Sequence, residues 1–245
     1  MGPFAAAIAA KVLHWVLPLT CYHCSEDLPE GLEDPLCAAC LKAVAPYDGL
    51  ACVRCSVPLK YGGAHCWKCR KLPRGSLNLL RTVTLFGPQV RAVLHAFKYE
   101  SRRHLAAPVG DWLVDAYLRD PEIQGAHAIV PVPLHPSRLR ERGFNQAEEL
   151  AKRLSEKSGV PVRQLLIRRR QTRAQADLDK EERLKNVEDA FFAQRGAKMK
   201  GKTVLLVDDV ATTGATLEAC ALALKRIGIR TVNALVVARQ TAPAS

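Results

Sequence analysis

The sequence predicts an α/β domain with a small cysteine-rich segment at its front, and three observations lead there. Short runs of Val, Leu and Ile give way to stretches with apolar residues at helical spacing, as in 204–207 followed by 216–227. A chain of 245 residues with an apolar fraction of 48% can fill one such domain plus an appendage. Eight of the nine cysteines crowd into residues 21–69.

The opening "MGPFAAAIAAKVLHWVLP" lacks a basic start and carries Lys11 in its middle, so it reads as a short amphipathic helix over 1–17 that packs on the rest rather than as a secretion signal. No apolar run approaches the ~18 residues a membrane helix needs, which argues against membrane insertion. The expected location is the cytoplasm.

The cysteines form four Cys-x-x-Cys pairs: Cys21/Cys24, Cys37/Cys40, Cys52/Cys55 and Cys66/Cys69. Each pair can sit on a tight turn that aims two thiolates at one metal, and two turns complete a tetrahedral site. Disulfides are the alternative, and a reducing cytosol disfavours them. Two structural Zn²⁺ ions are therefore expected within 18–72, with all four positions of each filled by protein. Sequential pairing puts Cys21, Cys24, Cys37 and Cys40 on one ion and Cys52, Cys55, Cys66 and Cys69 on the other; spacing leaves a cross-braced pairing open. His23 and His65 read as exposed neighbours, and Cys220 as a buried small hydrophobe. So small a segment depends on metal to fold, and composition suggests that it folds apart from the remainder, 73–245.

The formal net charge is +12, unevenly spread: 1–69 holds 5 Lys+Arg against 6 Asp+Glu, leaving 31 against 18 in 70–245, a surplus of +13. Such a surplus suits a pyrophosphorylated ligand or nucleic acid, or is simply a solvated surface.

Along the larger part, "LFGPQVRAVLHAFKYESRRHLAAPVGDWLV" (85–114) gives a strand end and two helical stretches separated near 100–103. Lys98 ends the first, where it either caps the helix or faces a ligand. "AIVPVPLHPSRLRERGFNQAEELAKRL" (128–154) reads as a buried strand, a Pro-rich loop, then an amphipathic helix from about Phe144. The loop gathers Arg138, Arg140 and Arg142 beside Gly143, planar donors suited to phosphate oxygens unless they form a solvated turn. "RRRQTRAQADLDKEERLKNVEDAFF" (168–192) is a long polar stretch, either a lid or a linker.

The most informative stretch is "VLLVDDVATTGATLEAC" (204–220). It places 208–213 on a strand-to-helix turn, where unpaired amides and the helix dipole favour phosphate. Gly214 permits close approach, and the Thr212, Thr213 and Thr216 hydroxyls add donors. Asp208 and Asp209 would repel a bare phosphate, so the ligand should carry hydroxyls too: a sugar phosphate. No Gly-Lys-Ser/Thr follows the strand, which excludes a Walker A loop.

This stretch resembles the phosphoribosyl-pyrophosphate (PRPP) motif of type I phosphoribosyltransferases. With the four-cysteine clusters, "KYESRRHLA", "VPVPLHPSRLRERGFNQAEELA", the polar stretch and "VVAR", it makes residues 18–240 similar to the ComF family of competence-associated proteins. The resemblance implies a phosphoribosyltransferase-like, twisted, mainly parallel sheet flanked by helices behind a double zinc ribbon. It implies PRPP with Mg²⁺ as ligand, the ribose and 5′-phosphate lying on Asp208, Asp209, Val210, Ala211, Thr212, Thr213, Gly214, Ala215 and Thr216. Asp208 and Asp209 are the candidate catalytic carboxylates. Arg138 and Arg142 become contacts of the pyrophosphate loop, and Arg170, Thr172, Gln175, Arg183 and Asn186 candidates on a flexible loop closing over the site. It also implies a role in handling transforming DNA, with single-stranded DNA and other competence proteins as partners. Two function classes follow: phosphoribosyl transfer to an acceptor that no segment identifies, or a non-catalytic single-stranded-DNA binder that uses PRPP or a nucleotide as a regulatory ligand. The missing aromatics in 163–173 weigh against base stacking.

Overall fold

The structure, a computed structural model, describes residues 19–29, 34–47, 49–71, 75–99, 102–169, 190–194 and 199–241. The expected helix over 1–17 and the loop candidates Arg170, Thr172, Gln175, Arg183 and Asn186 lie outside these residues.

Strand β5 (Thr203–Ala211) is the centre of the larger, C-terminal part. It pairs on one side with β6 (Thr231–Arg239) and on the other with β2 (Ala128–Pro131), while β1 (Leu79–Leu85) adds to β6, giving the order β1-β6-β5-β2 with every neighbour parallel. Parallel strands need covered faces, which explains why β5 and β6 read as near-continuous apolar runs. Alternate residues serve opposite faces. Leu205 and Val207 meet Val90, Leu94 and Phe97 of α3 (Pro88–Tyr99), Val109 and Leu113 of α4 (Ala106–Arg119), and Leu150 and Leu154 of α6 (Gln146–Ser158) in one core. Val204 and Leu206 meet Leu217, Cys220 and Leu224 of α7 (Ala215–Arg226) in the other. That second core also takes Leu166 and Phe191 from an antiparallel pair, β3 (Leu166–Arg168) and β4 (Phe191–Ala193).

Two boundaries differ from the sequence reading. Residues 208–211 belong to strand β5 rather than to the turn, because β6 continues alongside and pairs Asp208 with Val236 and Ala211 with Arg239. The Pro-rich loop contains a short helix, α5 (Pro136–Arg142), started by Pro136 behind the His135 side chain, which accepts from the Ser137 amide, and stopped by left-handed Gly143.

The two ribbons are built alike. Bridges Thr20↔Asp27 and Ala51↔Pro58 open them, and Cys21 and Cys52 donate backbone N–H bonds to Glu26 and Val57, each at 2.8 Å. Ser25 (φ 62) and Ser56 (φ 55), each following the second cysteine of its pair, take the left-handed turn. Short helices α1 (Ala38–Lys42) and α2 (Trp67–Lys71) follow Cys37 and Cys66.

Both ribbons are docked on the sheet. Leu28, Leu36, Cys40 and Val44 of the first lie in the same core as α3 and α4, and Thr84 of β1 donates to the Ala45 carbonyl at 3.0 Å. The second lines the free edge of β1: Leu80 N–H donates to Arg54 O at 2.8 Å, Ser56 Oγ to Leu80 O at 2.7 Å, and Arg81 Nη1 to Val53 O at 2.7 Å. An edge strand is thereby covered. Arg81 is braced in turn by Asp120, with Nε to Oδ2 at 2.6 Å, and by Glu122. After the second ribbon the chain is caught by Glu218 of α7, whose carboxylate accepts from the Ser76 amide and, at 3.3 Å, from the Leu77 amide.

Removing that acceptor strands two amides. Glu218→Ala is expected to lower unfolding free energy by about 1–3 kcal/mol in urea titrations, with a smaller loss for Glu218→Gln.

Candidate functional site

In an all-parallel sheet the strand ends open together at the carboxyl edge, the usual place for a ligand. Here that edge carries Asp208, Asp209 and Ala211 on β5, Arg239 on β6 and residues 132–135 after β2.

Asp208 and Asp209 are consecutive in a strand, so their side chains leave on opposite faces. Asp209 meets α3, where Lys98 Nζ stands 2.7 Å from its Oδ2. Lys98 therefore faces the site, and its sequence position as the last basic residue of a helix did not decide this. Asp208 turns toward the other face and takes the Asp209 backbone N–H at 2.9 Å. Burial, with the Asp209 charge second, pushes Asp208 up to about 7, against the pull of that N–H, Lys98 and Arg168. The two carboxylates thus differ in kind: one held as an ion pair, the other poised to exchange a proton near neutrality.

Beyond β5, residues 212–214 make the turn into α7. Gly214 takes φ 82 and forms the N-cap, and the Ala215 amide is met by Thr213 Oγ1 at 3.3 Å. Thr212 and Thr213 are exposed, Thr216 half-buried, and Val210 and Ala211 pack inward. The turn offers open hydroxyls beside a helix N-terminus of twelve residues.

The paired arginines part company. Arg138 is exposed on α5. Arg142 is buried, with Nη1 donating to Gln146 Oε1 at 3.0 Å, Nη2 to Tyr99 Oη at 3.5 Å, and its guanidinium 5.0 Å over the Tyr99 ring. Its Nε is buried without a hydrogen-bond partner among the described residues. Arg168, at the end of β3, joins them: burial and the nearby Arg138 lower its pKa, while Asp208 raises it. Arg168 and Arg239 lie in stretches that carry the resemblance, yet neither was singled out as a site residue; the available signal was a charge closing an apolar strand.

The thiolates fall into two groups, Cys21, Cys24, Cys37 and Cys40, and Cys52, Cys55, Cys66 and Cys69, each with its sulfurs within 4.8 Å of one another. Pairing is sequential, not cross-braced. Sulfurs about 2.3 Å from a tetrahedral zinc ion stand about 3.8 Å apart. Cys24 and Cys37 are 3.7 Å apart and Cys55 and Cys66 3.8 Å, so both groups fit structural zinc. His23 is no ligand: its Nδ1 lies 3.4 Å from the Cys40 sulfur, and the side chain is exposed. Cys220 is fully buried, and burial holds its thiol well above the usual range.

Elemental analysis of the protein is expected to give two zinc equivalents. Cys37→Ser should lose one of them and also lower the melting temperature of the whole chain, because Cys37 and Cys40 lie in the core shared with α3 and α4. Thermal melts followed at a probe on the four-stranded sheet check this. An unchanged midpoint would restore the picture of two parts that fold apart.

Comparisons with known proteins agree with this architecture. Residues 12–70 match the double zinc ribbon domain and residues 139–245 the phosphoribosyl transferase domain. Competence protein F of Haemophilus influenzae is 30% identical over 89% of this chain and 96% of its own. DNA utilization protein YhgH of Salmonella typhimurium is 30% identical over 91% and 98%. Competence protein ComFC of Bacillus subtilis is 26% identical over 80% of each chain. The helix-flanked parallel sheet, the two four-cysteine groups and these end-to-end matches lead to one conclusion: the chain belongs to the ComF family.

Proposed function

We propose that the carboxyl edge of the sheet binds PRPP, and that the protein works in the uptake or use of DNA, as the names of its relatives suggest. The observation that carries the first part is the placement of Asp208 and Asp209 one short turn before the open helix N-terminus at Gly214. A ligand there needs hydroxyls for the carboxylates and a phosphate for the turn. Ribose 5-phosphate has both.

Among the described residues, the two four-cysteine groups are the clusters of three or more metal-ligating side chains. With Asp209 paired to Lys98, the site holds no ready cage for Mg²⁺. This fits an ion that arrives with the ligand's own pyrophosphate and ribose oxygens. Such an ion supplies charge neutralisation at the pyrophosphate. The protein's share is to accept from the ribose hydroxyls through Asp208 and Asp209, to hold the 5′-phosphate at 212–216, and to offer the exposed Arg138 to the pyrophosphate; Arg142, tied to Gln146 and Tyr99, shapes that corner from within. If transfer occurs, the C1–O bond to pyrophosphate breaks, pyrophosphate leaves with the electron pair, and the acceptor's nucleophile bonds to C1.

The reading of the chain as a single-stranded-DNA binder rests on the +13 surplus of residues 70–245 and the relatives' names. Pyrophosphate release from PRPP, assayed across bases, amines and oligonucleotides, separates the two. Acceptor-dependent release supports transfer. Failure throughout, together with oligonucleotide affinity that falls steeply with salt, supports the binder.

Calorimetry with PRPP and Mg²⁺ tests the site. Asp208→Asn/Asp209→Asn is expected to weaken binding about tenfold or more, since hydrogen bonds to charged groups contribute roughly 1.5–3 kcal/mol. Gly214→Val should weaken it as well, because a branched residue resists φ 82. If both bind PRPP as the parent does, the site lies elsewhere.

A pH series gives a second check. Ionised Asp208 is the stronger acceptor of a ribose hydroxyl, so affinity should fall as pH drops below about 7, by at most about tenfold per unit. Asp208→Asn should flatten that part of the profile, leaving the ligand's own phosphate ionisation common to both proteins. In the free protein the sign is opposite. The raised pKa means that stability declines as pH climbs from the ordinary carboxylate range through about 7, and Asp208→Asn should remove the decline.

A further inference from the structure

Arg239 is buried, and among the described residues no carboxylate forms a salt bridge with it. It ends β6, opposite Ala211 of β5 and Leu85 of β1. The residue is 6% exposed, and Nε and Nη1 have no hydrogen-bond partner among the described residues. A guanidinium does not shed its proton, so burying one without partners is costly. What surrounds it is informative on two sides.

One side is the turn before α7. Nη1 lies 3.5 Å from where a Cβ on Gly214 would be, so the guanidinium reaches the N-cap of a twelve-residue helix. The other side is the second ribbon. After burial, the groups that act on Arg239 are the Cys55, Cys66, Cys69 and Cys52 thiolates. The same ribbon touches the turn directly, since Lys68, between Cys66 and Cys69, donates from Nζ to the Thr213 carbonyl at 3.4 Å. In a planar trans peptide the Gly214 N–H must then point the opposite way, away from Lys68.

We propose that Arg239 is an anion-binding residue at the base of the 212–216 turn, and that the second four-cysteine zinc cluster holds it there as its counter-charge. Four thiolates on one divalent ion leave a net negative cluster, the partner that a buried guanidinium otherwise lacks. The free N–H groups of Arg239 and the amides at the start of α7 then converge on one phosphate group. The second ribbon is in this sense part of the ligand site, whereas the first ribbon packs against α3 and α4. This inference rests on the reading of that turn as a phosphate site, and it adds the residue and the metal cluster that complete it.

The test uses the full zinc-loaded chain with ribose 5-phosphate as probe, binding measured by calorimetry and stability by thermal melt. Arg239→Met keeps the bulk and removes the donors. It is expected to weaken ribose 5-phosphate at least tenfold, and to lower the melting temperature as well, because the cluster's negative charge is left without its partner. A purely structural arginine would lower the melting temperature alike but leave parental affinity, and that result overturns the proposal. Cys66→Ser, which removes the second zinc, should weaken the probe at least as much as Arg239→Met; a folded one-zinc protein that binds like the parent overturns the role given to the cluster. Should that variant fail to fold, Arg239→Met alone decides, and parental affinity there overturns the proposal. Parent protein that binds no ribose 5-phosphate refutes the phosphate reading of the turn itself, an outcome distinct from a parent that binds and an Arg239→Met variant that matches it.

Discussion

The parallel pairing of β5 with β6, carried through to Ala211 and Arg239, is the constraint on which the rest depends. It extends β5 through both carboxylates and so fixes which face each one leaves by. Asp209 is delivered to Lys98 on the α3 side, and Asp208 to Arg168 on the α7 side. It also sets the level at which α7 can begin, and hence where the free amides of that helix lie relative to Asp208. Had β6 stopped three residues sooner, Arg239 would not stand beside Gly214.

Charge at this edge is held in place from outside the sheet. The carboxyl ends of four buried strands would make a poor home for two aspartates and two arginines were each not answered by a neighbouring element. Lys98 answers Asp209, and Gln146 with Tyr99 answers Arg142. Lys68 of the second ribbon reaches the Thr213 carbonyl. The polar edge is therefore a joint product of the sheet, α3, α5, α6 and the cysteine-rich segment. That is a stronger coupling between the two parts of the chain than their contrasting compositions suggest.

The ribbons serve a second purpose at the opposite margin. β1 is an edge strand whose outer side would otherwise present unpaired backbone, and the second ribbon supplies Arg54 O to Leu80 N–H while Ser56 fastens Leu80 O. A serine in a left-handed turn after Cys55 performs two tasks there, since it completes the metal-binding turn and ties it to the sheet. The matching turn at Ser25 belongs to the ribbon that joins the α3/α4 core instead. Two copies of one small motif have taken different docking partners.

Sequence by itself determined the elements that depend on local pattern. Four Cys-x-x-Cys pairs specify metal turns because two thiolates three residues apart can meet one ion, and the 204–207 run specifies a buried strand because both of its faces are apolar. The Asp-Asp and Thr-Thr-Gly-Ala-Thr pattern marked the proposed ligand turn for the same reason: its amides and hydroxyls are neighbours along the chain. The extent of β5, the short helix at Pro136–Arg142, and the sequential pairing of the cysteines were settled in three dimensions. So were the roles of charged residues far apart in sequence. Nothing local distinguishes the exposed Arg138 from the buried Arg142, or marks Lys98, Lys68 and Arg239 as neighbours of residues 209 to 214. Their meeting is a matter of strand order and docking, and long-range electrostatics leaves no periodic trace in a sequence because a charge acts on whatever the fold brings near it.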